Sequence, residues 1–93
     1  MNLKDTKVWI GKNPRLSRIL QLALKRQGYG WSNGKLIQNT NRLALYIYSE
    51  GTLCFSSSDS QDKSRFSEHH FKEVQPHHII DDSTFNEISR LLK

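Results

Sequence analysis

The stretch Asn13-Pro14-Arg15-Leu16-Ser17-Arg18-Ile19-Leu20-Gln21-Leu22-Ala23-Leu24-Lys25-Arg26-Gln27-Gly28 reads as one helix with a start and a stop. Asn13 suits the N-cap, where its side chain can accept from a free backbone N–H, and proline fits the first helical position because its missing N–H has no partner there anyway. Leu16, Ile19, Leu20, Ala23 and Leu24 recur at helical spacing, and Gly28 supplies the stop. At 100° per residue the opposite face carries Arg15, Arg18, Lys25 and Arg26 around Leu22. A helix with an apolar stripe needs a partner layer, and the basic stripe left in solvent is a candidate contact surface.

The flanking sequence supplies strands for that layer. Lys7-Val8-Trp9-Ile10 has the β-rich character of a short strand ended by Gly11. Leu43 to Tyr48 and Thr52 to Ser56, joined by Ser49-Glu50-Gly51, predict an antiparallel pair. Period-two alternation puts Leu43, Leu45, Ile47, Leu53 and Phe55 on one face, packed against the basic helix. Gly28 to Gly34 predicts a turn into a strand near Lys35 to Gln38, and Asn39-Thr40-Asn41 a hairpin. Ser56 to Ser64 reads as a polar loop and Phe71 to Val74 as a last strand interrupted by Pro76. Thr84-x-x-Glu87 resembles a capping box, with Phe85, Ile88, Leu91 and Leu92 on one side of a short C-terminal helix. The expected architecture is a single α+β domain over residues 1–93. It has a small antiparallel sheet in the order β-α-β-β-β-α, one long basic helix and a short final one.

Length and composition agree. Ninety-three residues support one core, and 35% hydrophobic residues with nine aromatics suit a folded chain. No apolar run approaches the ~20 residues of a membrane span, and the polar N-terminus lacks a signal-peptide core, so a cytoplasmic protein without membrane association is expected. Cys54 is the single cysteine, which excludes an intrachain disulfide. The net charge of +5 is unevenly placed. No acidic residue lies between Thr6 and Ser49, where Lys7, Lys12, Arg15, Arg18, Lys25, Arg26, Lys35 and Arg42 supply eight positive charges. Residues 50–93 hold five Lys or Arg against eight Asp or Glu. Such segregation attracts phosphates or an acidic protein surface without choosing between them; its simplest service is solubility.

Lys7-Val8-Trp9-Ile10, Gln27-Gly28-Tyr29-Gly30-Trp31, the Gly34-Lys35 turn, Gln38-Asn39-Thr40, Leu45-Tyr46-Ile47-Tyr48-x-x-Gly51-Thr52-Leu53 and Phe71-Lys72-Glu73-Val74 together resemble small, mostly uncharacterised bacteriophage accessory proteins over roughly residues 6–80. The resemblance carries no catalytic motif. By analogy it implies a host-takeover or anti-defence role, an inhibitor of host enzymes or defence systems acting in the host cytoplasm. The basic first half and the serines after Phe55 depart from the group's pattern, so no partner identity transfers.

Catalytic and metal signals are weak. His69-His70 and His77-His78 with Cys54 lack a metal-site spacing, since neighbours on a strand point to opposite faces. Cys54, inside a predicted strand, reads as a small buried hydrophobe. Asp81-Asp82 suits helix capping, and Gly28 to Gly34 lacks the phosphate-loop pattern. A non-enzymatic protein with no cofactor and no metal is expected. As a monomer or small homo-oligomer, it would bind a host protein with an acidic surface through Arg15, Arg18, Leu22, Lys25, Arg26, Tyr29 and Trp31. The alternative is nucleic acid: Trp9, Tyr46 and Tyr48 on an open sheet face would stack bases while Lys7, Lys35 and Arg42 neutralise phosphates. Against it, the C-terminal helix needs a place to bury Phe85, Ile88 and Leu91, and the same face would serve. A double-stranded-RNA-binding module is disfavoured by Asp81, Asp82 and Glu87 on its last helix. A small-nucleotide sponge using Tyr29 or Trp31 is a third possibility, with no confirming motif.

Overall fold

A computed structural model describes residues 2–56, 58–67 and 70–92. They form a small α+β domain with elements β1 (Thr6–Trp9), α1 (Pro14–Arg26), β2 (Ala44–Ile47), β3 (Leu53–Cys54), α2 (Asp59–Phe66), β4 (Lys72–Val74), α3 (Pro76–Ile79) and α4 (Asp82–Leu91). The sheet order is β3-β2-β1-β4. β1 and β2 are antiparallel with Val8 opposite Leu45 and Lys7 opposite Tyr46, β2 and β3 are antiparallel, and β4 runs parallel to β1 with Val74 beside Val8. The sheet is therefore mixed rather than antiparallel, and the order is β-α-β-β-α-β-α-α.

The long helix forms as its sequence requires. Asn13 Oδ1 accepts from Leu16 N at 3.1 Å. At the other end Gly28 N donates to Lys25 O and Tyr29 N to Leu24 O, a paired termination that needs the φ of +93° which Gly28 supplies. Ile19, Leu20, Ala23 and Leu24 are buried against Val8, Leu45, Ile47, Leu53 and Val74, the face that the alternation predicts, with Phe55 packed at the edge. Ile79, Ile80 and Ile88 complete the same core.

Three expectations fail. Residues 35–38 are not a strand and 39–41 not a hairpin. β1 and β2 are antiparallel although α1 lies between them, so the chain leaving the helix must travel back along it before entering β2. Gly30 N donates to Gly51 O and Leu53 N to Gly30 O at one end of the sheet, whereas Ile10 N and Lys12 N donate to Leu43 O and Arg42 O at the other. The 17 residues 27–43 between α1 and β2 cover that distance without regular structure. The serine-rich stretch is also more than a loop, because Ser58 caps α2 by accepting from Gln61 N. Finally, α4 does not cover the second sheet face. It packs beside α1 with Ile88 fully buried, starts under Asp81, whose carboxylate accepts from Thr84 N at 2.7 Å, and leaves Leu91 69% exposed. The second face is covered by α2, as the contacts below show.

Ile88 is the one fully buried side chain of α4. Ile88→Ala should cost about 2–5 kcal/mol and lower the urea midpoint accordingly, while Leu91→Ala should stay within about 0.5 kcal/mol of the parent. Equal midpoints for the two variants would contradict this packing of α4.

Candidate interaction surface

The basic stripe of α1 is exposed but not uniformly free. Arg15 reaches across to α4, where it bonds the Ser89 hydroxyl and its Nη2 approaches Ser89 O at 3.4 Å. Arg26 pairs with Glu87 of α4 at 3.3 Å. Leu22, half-buried, packs at the edge of the core. Arg18 and Lys25 lie on the flank away from α4. Both are exposed, and among the described residues neither has a hydrogen-bond or ion-pair partner. Three or four residues apart on a helix is the spacing of neighbours, so Arg18, Gln21 and Lys25 form one ridge.

Tyr29 and Trp31 are half-buried and tie the turn to the body. The Tyr29 hydroxyl accepts from Leu3 N at 3.2 Å, and Trp31 stacks at a tilt on Phe55 with ring centroids 5.1 Å apart. Trp31 Nε1 donates to Gln21 Oε1 at 2.9 Å. That oxygen also accepts from Gln38 N at 2.8 Å, and Gln21 Nε2 bonds Ser17 Oγ at 3.0 Å. Gln21, fully buried, thus holds the two ends of the 32–37 segment at mid-helix. The same chain turns at Gly34, φ +79°, and exposes Lys35 and Leu36, the latter 57% exposed. Arg42 is half-buried at the far end. Gln21 and Leu36 were not among the expected site residues. A glutamine on the apolar side of a helical pattern was the available signal for the first.

The glycine amides of the Gly28 to Gly34 turn bond within the protein. Gly28, Gly30 and Gly34 each donate to a backbone carbonyl, which supports the turn over a phosphate cradle.

On the other sheet face, Lys7, Trp9, Tyr46 and Tyr48 do point together, but α2 lies across them, so the open stacking platform is not present. Tyr46 and Lys7 are buried. Asp62, itself fully buried, accepts from the Tyr46 hydroxyl at 3.2 Å and from Leu43 N at 3.3 Å. Arg65 stacks on the Tyr46 ring at 4.2 Å and donates to the Tyr48 hydroxyl at 2.6 Å. Lys7 donates to Phe66 O, Lys12 pairs with Asp59, and Trp9, 41% exposed, meets Phe66 edge-on at 5.1 Å. Burial and the Asp62 charge push the Tyr46 phenol up to about 12. Tyr48 is also raised, first by donating to the Cys54 thiol and then by burial. Cys54 is half-buried in this polar cluster, near Arg65, rather than among apolar side chains.

Asp81 caps α4, and the Thr84 amide it accepts holds its carboxyl below the ordinary value. His77 and His78 sit in α3 with rings 4.2 Å apart, His78 Nδ1 accepting from Gln75 N. His69 lies outside the described residues. Among the described residues no three His, Cys, Asp or Glu side chains gather as a metal ion would need, and no helix is long and apolar enough to cross a membrane.

Comparison with protein-family models, curated proteins and solved structures found no match to this chain.

The Tyr46 environment has a measurable consequence. With its folded pKa raised above the free value of 10.0, the phenol keeps its proton in the folded state after the unfolded chain has lost it. Stability from this group is complete below pH 10 and lost between pH 10 and about 12. Tyr46→Phe should shallow that alkaline loss. At neutral pH it should cost about 1–3 kcal/mol, because Asp62 loses a donor. Denaturant titrations at pH 7 and across the alkaline range check both, and an unaltered alkaline profile would contradict the first.

Proposed function

We propose that the chain is a non-enzymatic accessory protein of the bacteriophage type that binds a host macromolecule through its basic α1 face and modulates or inhibits it, in host takeover or in countering defence. The preferred partner is a host protein with an acidic surface, met in the host cytoplasm. The observation that carries this reading is the Arg18–Lys25 ridge: two exposed cations, without partners among the described residues, on a helix inside a segment that has no acidic residue from Thr6 to Ser49. A surface maintained at one sign raises the local concentration of oppositely charged partners and speeds their encounter.

Nucleic acid remains the competing partner because phosphates answer to the same charges. Its support is thinner, since Tyr46 is buried and Tyr48 is engaged by Arg65, leaving Trp9 as the exposed ring of that face. Base stacking contributes much of the affinity for single strands.

Arg18→Glu with Lys25→Glu should cut partner recovery at least tenfold in a pull-down from host lysate while leaving the unfolding midpoint within about 0.5 kcal/mol of the parent. Reversing Arg15 and Arg26 would confound the readout, because Arg15 bonds Ser89 and a glutamate at position 26 would face Glu87 across the α1–α4 contact. A protein retained after nuclease treatment supports the proposal. Nucleic acid recovered alone, with proteins lost on nuclease treatment, would reverse the order of the two readings, and undiminished recovery by the double variant would defeat the α1 surface assignment in both.

A further inference from the structure

The segment pinned by Gln21 gives the basic face a second chemical character. Connections longer than about 12–15 residues without regular structure are uncommon in compact domains and are frequently functional. This one is anchored at both ends of its middle: Trp31 and Gln38 both bond one buried side-chain oxygen, so it leaves and returns to the same point on α1. Leu36 is two residues from Gln38, which limits its Cα to about 7–8 Å from that anchor. Gln21 lies between Arg18 and Lys25 on their ridge, and Lys25 extends over the Gly30 backbone, its Nζ 3.6 Å from where a Cβ would stand there. An exposed leucine, preceded by Lys35, is therefore tethered to the same stretch of α1 that carries two unpaired cations.

An isolated surface leucine needs no explanation. A leucine on a segment whose ends are held by a fully buried glutamine of the cationic ridge, in a stretch of chain with no acidic residue, does.

We infer that Leu36, Arg18, Lys25 and Lys35 form one recognition patch for an acidic protein segment whose carboxylates surround a single apolar side chain. The inference rests on the basic-face reading and specifies the chemistry of its partner. Charge complementarity supplies the attraction and the long-range steering; the apolar contact at Leu36 supplies discrimination, because carboxylates alone would be screened by salt and would not distinguish one acidic surface from another.

The test uses the full chain and two labelled, short, glutamate-rich peptides that differ only at the centre, phenylalanine in one and glutamine in the other, with a short DNA duplex as a third probe. Fluorescence anisotropy should show the phenylalanine peptide bound roughly tenfold more tightly than the glutamine peptide. Leu36→Ser should erase that difference without altering the fold. Arg18→Glu with Lys25→Glu should abolish binding of both peptides. Equal binding of the two peptides, unaffected by Leu36→Ser, would overturn the apolar contact and leave the basic-face reading standing. No binding of either peptide would overturn both. Tighter binding of the duplex than of either peptide would overturn the protein segment as the occupant.

Discussion

Two strands that pair antiparallel with a helix between them impose the constraint from which most of this molecule follows. After α1 the chain is at the end of the sheet where β1 begins, yet β2 must be entered from the opposite end. A hairpin would return at once; here 17 residues return along the flank of a 13-residue helix roughly 20 Å long. Such a segment has backbone groups to satisfy and no ladder to satisfy them. Gln21 meets part of that demand from inside the helix. Its placement on the buried side of α1 is tolerable because both ends of its amide are bonded, to Trp31 and Gln38 through oxygen and to Ser17 through nitrogen.

Charged side chains of the acidic second half meet those of the basic first half at α2 and at α4. Below the sheet, α2 has no aliphatic side chain, and its attachment rests on Asp62, Arg65 and Phe66 together with the Lys12–Asp59 pair. A fully buried carboxylate is costly unless its lone pairs are used, and Asp62 uses both oxygens. Beside α1, Ser89 and Glu87 of α4 engage Arg15 and Arg26. The exposed pair at 3.3 Å contributes little to stability. Its consequence is to neutralise one flank of the stripe, so that the field of the N-terminal half emerges on the other.

Local signals were enough where local interactions decide. Asn13, Pro14 and Gly28 mark the ends of α1, and alternation in Leu45, Ile47 and Leu53 finds the buried face, because side-chain period and burial are both properties of a few adjacent residues. The return segment is different: Lys35 to Gln38 has strand-like composition, but its partner would have to be a sheet edge, and Gln21 takes that place. Ser58-x-x-Gln61 does carry a helix-start signal in the polar stretch, outweighed by the absence of an apolar stripe; α2 is held by one buried aspartate and by rings on the sheet, which no periodicity reveals. Parallel pairing of β4 with β1 depends on where α2 delivers the chain, a non-local outcome. At the surface, the basic stripe was legible from helical geometry, whereas its division into a paired and an unpaired flank required knowing that α4 lies beside α1 and not across the sheet.

That division bears on the kind of partner the surface admits. Glu87 of α4, paired with Arg26 at 3.3 Å, sets a carboxylate beside the paired flank of α1, whereas the segment that carries Arg18 and Lys25 has no acidic residue from Thr6 to Ser49. On the proposed reading, a polyanion wide enough to extend from the Arg18–Lys25 ridge over α4 would meet that carboxylate and lose in repulsion part of what the ridge supplies. On the same reading, an acidic segment confined to the ridge would touch the cations without crossing α4, and would also meet Leu36, for which a phosphate backbone has no counterpart. Excluding the wider polyanion and rewarding an apolar side chain act in the same direction, and both depend on the same two placements: α4 on one flank of α1 and the Gln21-anchored segment on the other.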